Sequence, residues 1–127
     1  MIKYSRDEMN AQAVFKLVAD RYQTTPAYLW QRYPDYAVLR HADNQKWYGL
    51  VMAVSKSNLG LVPGDETLVE VLDVKLDPED VELLQTEPAY LPAYHMNKRH
   101  WITVQLDQVA PAVVERLLAT SYQLTTK

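Results

Sequence analysis

The segment Lys46-Trp-Tyr-Gly-Leu-Val-Met-Ala-Val54 carries almost no polar side chain after its lysine. A strand with one wet face alternates apolar and polar residues, because its side chains point to opposite sides in turn. An uninterrupted apolar run therefore reads as a central strand covered on both faces. Its neighbour is Tyr36-Ala-Val-Leu-Arg-His41, and the short polar Ala42-Asp-Asn-Gln45 between them is hairpin chemistry. Leu68 to Leu76, with Val69, Val71 and Val74, reads as a third strand after the turn signals Asn58-Leu-Gly60 and Pro63-Gly-Asp65. Trp101-Ile-Thr-Val-Gln-Leu106 alternates, placing Ile102, Val104 and Leu106 on one face and Trp101, Thr103 and Gln105 on the other.

Three helices accompany these strands. Ser5-Arg-Asp-Glu8 is a capping-box pattern, and Met9, Ala13, Val14, Leu17, Val18 and Arg21-Tyr22 follow at helical spacing. Asp77-Pro-Glu-Asp80 places an N-cap acid, a first-turn proline and further acids at the start of a short helix that stops before Pro88. Pro111 opens a last helix with Val113, Val114, Leu117, Leu118 and Tyr122 on its buried stripe. The expected order is helix, strands, helix, strand, helix. Short strand-to-strand links make the sheet antiparallel, so the fold class is α+β, one antiparallel sheet with helices packed on one face.

At 127 residues the chain is expected to be one domain, 1–127, and its 48% hydrophobic content is that of a globular protein. The absence of cysteine removes disulfides, thiolate metal sites and cysteine nucleophiles. Lys3, Arg6, Asp7 and Glu8 interrupt any early apolar run, which points to a cytoplasmic protein without a membrane partner. The net charge of −3 argues mildly against generic polyanion binding. Acids crowd the segment from Asp65 to Glu87, however, while Arg21, Arg32, Arg40, Lys46, Lys98 and Arg99 lie in acid-poor regions.

Polar chemistry concentrates in Pro92-Ala-Tyr-His-Met-Asn-Lys-Arg-His-Trp-Ile-Thr-Val104. Lys98 and Arg99 are suited to phosphate, Asn97 to a base edge, and Tyr94 or Trp101 to stacking, with His95 beside them. The bland alternative is a structural clasp in which Asn97 bonds the local backbone and the loop covers Trp101. Trp101 is expected to be partly exposed, since a clasp alone does not require two cations and two imidazoles. His95 and His100 are five apart, not the four of a helical zinc pair, and no carboxylate is near them in sequence, so no metal or other cofactor is expected. A second constellation comprises Trp30, Arg40, His41, Lys46 and Trp47. Trp47 reads as core, and alternation puts Arg40 and His41 on opposite faces of their strand. No nucleophile elbow or glycine-rich phosphate loop is present, so no catalytic residues are expected and the chain reads as a non-enzyme.

Tyr33-Pro-Asp-Tyr-Ala-Val-Leu-Arg-His41, Lys46-Trp-Tyr-Gly-Leu-Val-Met52, Leu59-Gly-Leu61, Asp73-Val-Lys-Leu-Asp-Pro78 and the Pro92–Val104 block resemble the MmcQ/YjbR-like family of small bacterial proteins. The resemblance implies a fold like that of frataxin-type (CyaY-like) proteins and secretion chaperones. Its double-wing description is the origin of a DNA-binding label. A frataxin-like iron role does not carry over, because the first helix offers only Asp7, Glu8 and Asp20. The resulting expectation is a DNA-binding protein contacting its ligand through Arg40, Tyr94, His95, Asn97, Lys98, Arg99 and Trp101. The alternative is a protein-interaction or small-ligand module using the same loop.

Overall fold

A computed structural model describes residues 9–127. Its elements run α1 (Ala11–Tyr22), β1 (Ala37–Arg40), β2 (Trp47–Ser55), β3 (Leu68–Lys75), α2 (Pro78–Leu84), β4 (Tyr90–Pro92), β5 (Trp101–Gln105) and α3 (Pro111–Leu124). The strands form one sheet in the order β1-β2-β3-β5-β4, and every pairing is antiparallel. The α+β class expected from the strand patterns is what the chain adopts. β4 was not foreseen: it has three residues and ends on Pro92, which suits only an edge strand.

Helix starts depart from the expected chemistry. The Ser5–Glu8 capping box lies outside the described residues. α1 begins at Ala11, with the Asn10 side chain accepting from the Ala13 N–H at 2.9 Å. Its first amide, that of Ala11, donates to Glu70 Oε1 on β3 at 2.9 Å, so a strand carboxylate from the acidic run helps close a helix end. Asp77 does occupy the N-cap of α2, yet its side chain makes no capping bond; its backbone carbonyl accepts from Asp80 and Val81 instead.

All three helices contribute to one core with one face of the sheet. Val14 and Val18, Val81, and Val114 and Leu118 pack with Ala37, Leu39, Val51, Leu72, Val74, Ile102 and Val104. The opposite face has its own core of Val38, Leu50, Met52, Val54, Val69 and Val71. No helix covers that second face among the described residues. Ala27, Trp30 and Tyr36 of the α1–β1 connection, Leu59, and Tyr94 and Met96 of the β4–β5 loop pack over it. The two-sided burial of β2 is thus met by helices on one side and by aromatic loops on the other.

A bulge sharpens this division. The register slips between Leu39 and Arg40, where Leu39 pairs with Gly49 but Arg40 pairs with Trp47. The extra residue, Tyr48, joins the helix-side core, while Trp47 packs on the second face. At Gly49 a Cβ would sit 2.9 Å from Leu39 Cδ1, so a larger residue there would push that buried leucine aside.

Ser121 ties α3 to the sheet from a fully buried position. Its hydroxyl donates to the Tyr48 carbonyl at 2.7 Å and accepts from the Lys75 N–H at 2.9 Å, joining β2 and β3 through one side chain. The exposed Arg21–Glu115 pair at 2.5 Å links α1 to α3 but contributes little in water. Ser121→Ala should cost about 1–3 kcal/mol, because two buried backbone groups lose their partner. Denaturant melts of this variant against Thr126→Ala, whose hydroxyl bond is exposed, check it.

Candidate functional site

Antiparallel register places the cations. Arg40 pairs with Trp47, Leu50 with Asp73, and Lys75 with Trp101. The end of β1, the start of β2, the end of β3 and the start of β5 therefore lie at one end of the sheet. Arg40, Lys46, Lys75, Lys98 and Arg99 are all at or beside that end. Neither of the two ion pairs among the described residues, Lys16–Asp20 and Arg21–Glu115, involves them. Asp65 and Glu66 precede β3 at the opposite end, where Leu68 pairs with Ser55. Asp43, Asp77, Glu79 and Asp80 flank the same end, so it carries charges of both signs.

On the loop-covered face, Trp30, Tyr33, Tyr36, Trp47, Leu50, His95 and Met96 enclose a recess of about 270 Å³. Trp30 and Trp47 meet edge to face at 5.7 Å, and Tyr33 stacks on Tyr36 at 4.6 Å. Both tryptophans are half-buried, so they are wall rather than sealed core. His95 is exposed and in the left-handed region at φ 68°, which is unusual for a residue with a Cβ. Its ring lies 4.1 Å from that of Tyr94 and 6.0 Å from that of Tyr36. Burial raises the Tyr36 hydroxyl above the ordinary tyrosine range, with Tyr94, Tyr33 and Asp73 adding to the effect.

The loop reaches this position through a buried polar chain. The Tyr94 N–H donates to Thr103 Oγ1 at 2.8 Å, and that hydroxyl donates to Asp73 Oδ1 at 2.5 Å. Asp73 is fully buried, and its second oxygen, Oδ2, has no hydrogen-bond partner among the described residues. Burial pushes its carboxyl up to about 8, against the Thr103 bond and the Lys98 charge, which both lower it. Asp73 was quoted in the family block but not singled out as a site residue. The available signal was a carboxylate between Leu72 and Val74 in an otherwise apolar strand.

The seven residues read as one binding surface separate into four environments. His95 lines the recess, with the Tyr94 ring against it. Asn97 Oδ1 accepts from the Arg99 and His100 N–H groups at 2.9 and 3.0 Å, so it shapes the turn, and the residue is exposed there. Lys98 and Arg99 are exposed on that turn. Trp101, expected to be partly exposed, is only 8% exposed and presents no open stacking face. It does keep the side shared with Thr103 and Gln105, opposite Ile102, Val104 and Leu106.

Arg40 belongs elsewhere. With His41 it lines a separate polar cavity of about 430 Å³, bounded also by Tyr22, Thr25, Asp43 and Tyr122. Strand alternation had put Arg40 and His41 on opposite faces. His41 keeps the side of Ala37 and Leu39, packing on Tyr48 and Tyr122, and both residues line the cavity at the end of the strand.

Residues 19–124 match the YjbR family's sequence profile. The chain belongs to the YjbR family. It is 40% identical over 118 residues to the uncharacterised protein YyaQ of Bacillus subtilis (strain 168), covering 92% of this chain and 98% of that one. A crystal structure of a Pseudomonas syringae protein superposes with a TM-score of 0.88 at 42% identity, covering 92% of this chain and 99% of that one. The Deinococcus radiodurans protein DR2400 gives a TM-score of 0.67 at 27% identity, over 94% and 80% of the two chains. No helix among the described residues is long and apolar enough to cross a membrane.

Two outcomes follow for this YjbR domain. Asp73 binds its proton more tightly folded than unfolded, so its contribution to stability is full below its ordinary value of 3.8 and falls as pH rises towards about 8. The slope should approach about 1.4 kcal/mol per pH unit in that window. Asp73→Asn should flatten it and gain on the natural chain at neutral pH, read by urea melts across the range. Trp101→Ala should lose about 3–5 kcal/mol, as for other buried tryptophans, in the same melts.

Proposed function

We propose that this YjbR-family chain is a non-enzymatic binding protein whose ligand is DNA presenting an unpaired base. One observation carries the reading: the aromatic recess adjoins the sheet end that bears Lys46, Lys98 and Arg99. Lys46 directly precedes Trp47 of the recess wall, and Lys98 follows Met96 by two residues. Stacking walls beside cations are the usual equipment for single strands, because every base has a flat face and every nucleotide a phosphate. A recess of about 270 Å³ is slightly below the range of drug-sized sites, so it suits one flat ring system. Duplex bases are already stacked and paired, so a duplex should bind less well.

Three cations limit the electrostatic part. A single strand neutralised at three phosphates should lose affinity with a log–log salt slope of about −2. The test is anisotropy of a labelled thymidine oligonucleotide with the full chain, together with quenching of Trp30 and Trp47 emission. Binding should appear at low salt and weaken on salt addition, and Lys98→Ala/Arg99→Ala should flatten the slope by about 1.4. His95→Ala should weaken binding while leaving the slope unchanged. No binding at low salt, or a slope indifferent to Lys98 and Arg99, would overturn the DNA reading. Recess occupancy without salt dependence would instead favour a free planar ligand or a protein side chain.

A further inference from the structure

We propose that the polar cavity around Arg40 and His41 is a second binding site, for a small zwitterion carrying both a carboxylate and an ammonium group. It shares no lining residue with the aromatic recess, so it stands independently of the DNA reading. The cavity forms where the end of α1, the β1–β2 hairpin and the end of α3 meet. Its volume of about 430 Å³ lies within the usual range for small-molecule sites.

His41 supplies the first argument. Its side chain is buried, at 4% exposure, and its Nε2 lies 2.8 Å from Thr125 Oγ1. That hydroxyl has one proton, which it donates to the Ser121 carbonyl at 2.8 Å, with the Tyr122 carbonyl at 3.2 Å. Carbonyls only accept, so the Thr125 oxygen must accept from His41, and Nε2 carries the hydrogen. In the neutral ring Nδ1 is then a bare acceptor, and no described residue donates to it. With no donor from the chain, Nδ1 is left to accept from water or from a ligand in the cavity that His41 lines.

Charge supplies the second. Two charged groups line the cavity, Arg40 and Asp43, and neither takes part in an ion pair among the described residues. One Asp43 oxygen accepts from the Asn44 N–H at 2.7 Å, which leaves the other for a ligand. A phosphate or a dicarboxylate would be attracted by Arg40 and repelled by Asp43; a polyamine would meet the reverse. An amino-carboxylate satisfies both, with its carboxylate on Arg40 and its ammonium shared by Asp43 and His41 Nδ1. The stacked rings of Tyr22 and Tyr122, 4.2 Å apart, give its side chain an apolar wall.

The test titrates the ¹⁵N-labelled full chain with each of the common free amino acids to about 1 mM, following backbone amide shifts. At least one should shift Arg40, His41, Asp43 and Tyr122 saturably without shifting His95 or Met96. Its N-acetyl and carboxamide derivatives should each bind at least about tenfold more weakly. Arg40→Gln should lose the discrimination against the carboxamide. His41→Gln, which keeps an N–H for Thr125 and lacks the ring acceptor, should lose discrimination against the N-acetyl form. Long-range ¹H–¹⁵N spectra of the free protein should show His41 protonated on Nε2. Absence of any saturable shift, equal affinity for the blocked derivatives, tighter binding of inorganic phosphate, or protonation of His41 on Nδ1 alone would each overturn the site.

Discussion

β2 is apolar on both sides, and the helices among the described residues cover only one of them. Val51 faces α1 and α3, whereas Leu50, Met52 and Val54 face the other way and must be covered by segments with no regular structure. Large aromatic and sulfur side chains are what irregular segments can bring to that task, because each buries much area from a single backbone position. Loops cannot seal a surface as a helix does. Trp30, Tyr36, Trp47, Tyr94 and Met96 therefore end half-buried, and all of these but Tyr94 line the recess.

Buried polar links hold this arrangement in register. Ser121 joins α3 to two strands, Thr103 joins the β4–β5 loop to Asp73, and Thr24 meets the Tyr48 hydroxyl at 2.5 Å where the chain leaves α1. Burial pushes that tyrosine up to about 12, so its hydroxyl keeps its proton across the working range. Asp73 is the outlier, with one oxygen satisfied and one not. A half-satisfied carboxyl under a loop that lines a recess makes the loop's stability depend on pH, which a fully apolar contact would not do.

The binding candidates show where reading from the chain falls short. His95 lines the recess with Tyr94 against it, but Asn97 spends its carbonyl oxygen on two backbone amides and Trp101 is covered. Residue type alone could not separate these fates, because an asparagine that caps a turn and one that reads a base are the same residue. His41 follows the alternation of its strand onto the side of Ala37 and Leu39, yet it lines the same cavity as Arg40, which alternation by itself does not foresee. Asp73 escaped notice because its neighbours look like an ordinary buried strand, and its significance depends on Thr103, thirty residues away.

The order of the long elements follows from the chain's own periodicities: the apolar run of β2, the alternation of β5, the proline starts of α2 and α3. These are local signals, since side-chain direction repeats every two residues in a strand and about every 3.6 in a helix. YjbR membership was legible too, from blocks spread over most of the chain. Only tertiary structure decided that aromatic loops cover the face the helices leave, that Glu70 caps α1, and that Lys46, Lys98 and Arg99 fall at one end of the sheet. It also divided one apparent site into an aromatic recess and a separate polar cavity. Each of these depends on strand order and register, which bring together residues far apart in the chain, and no local pattern encodes such distances.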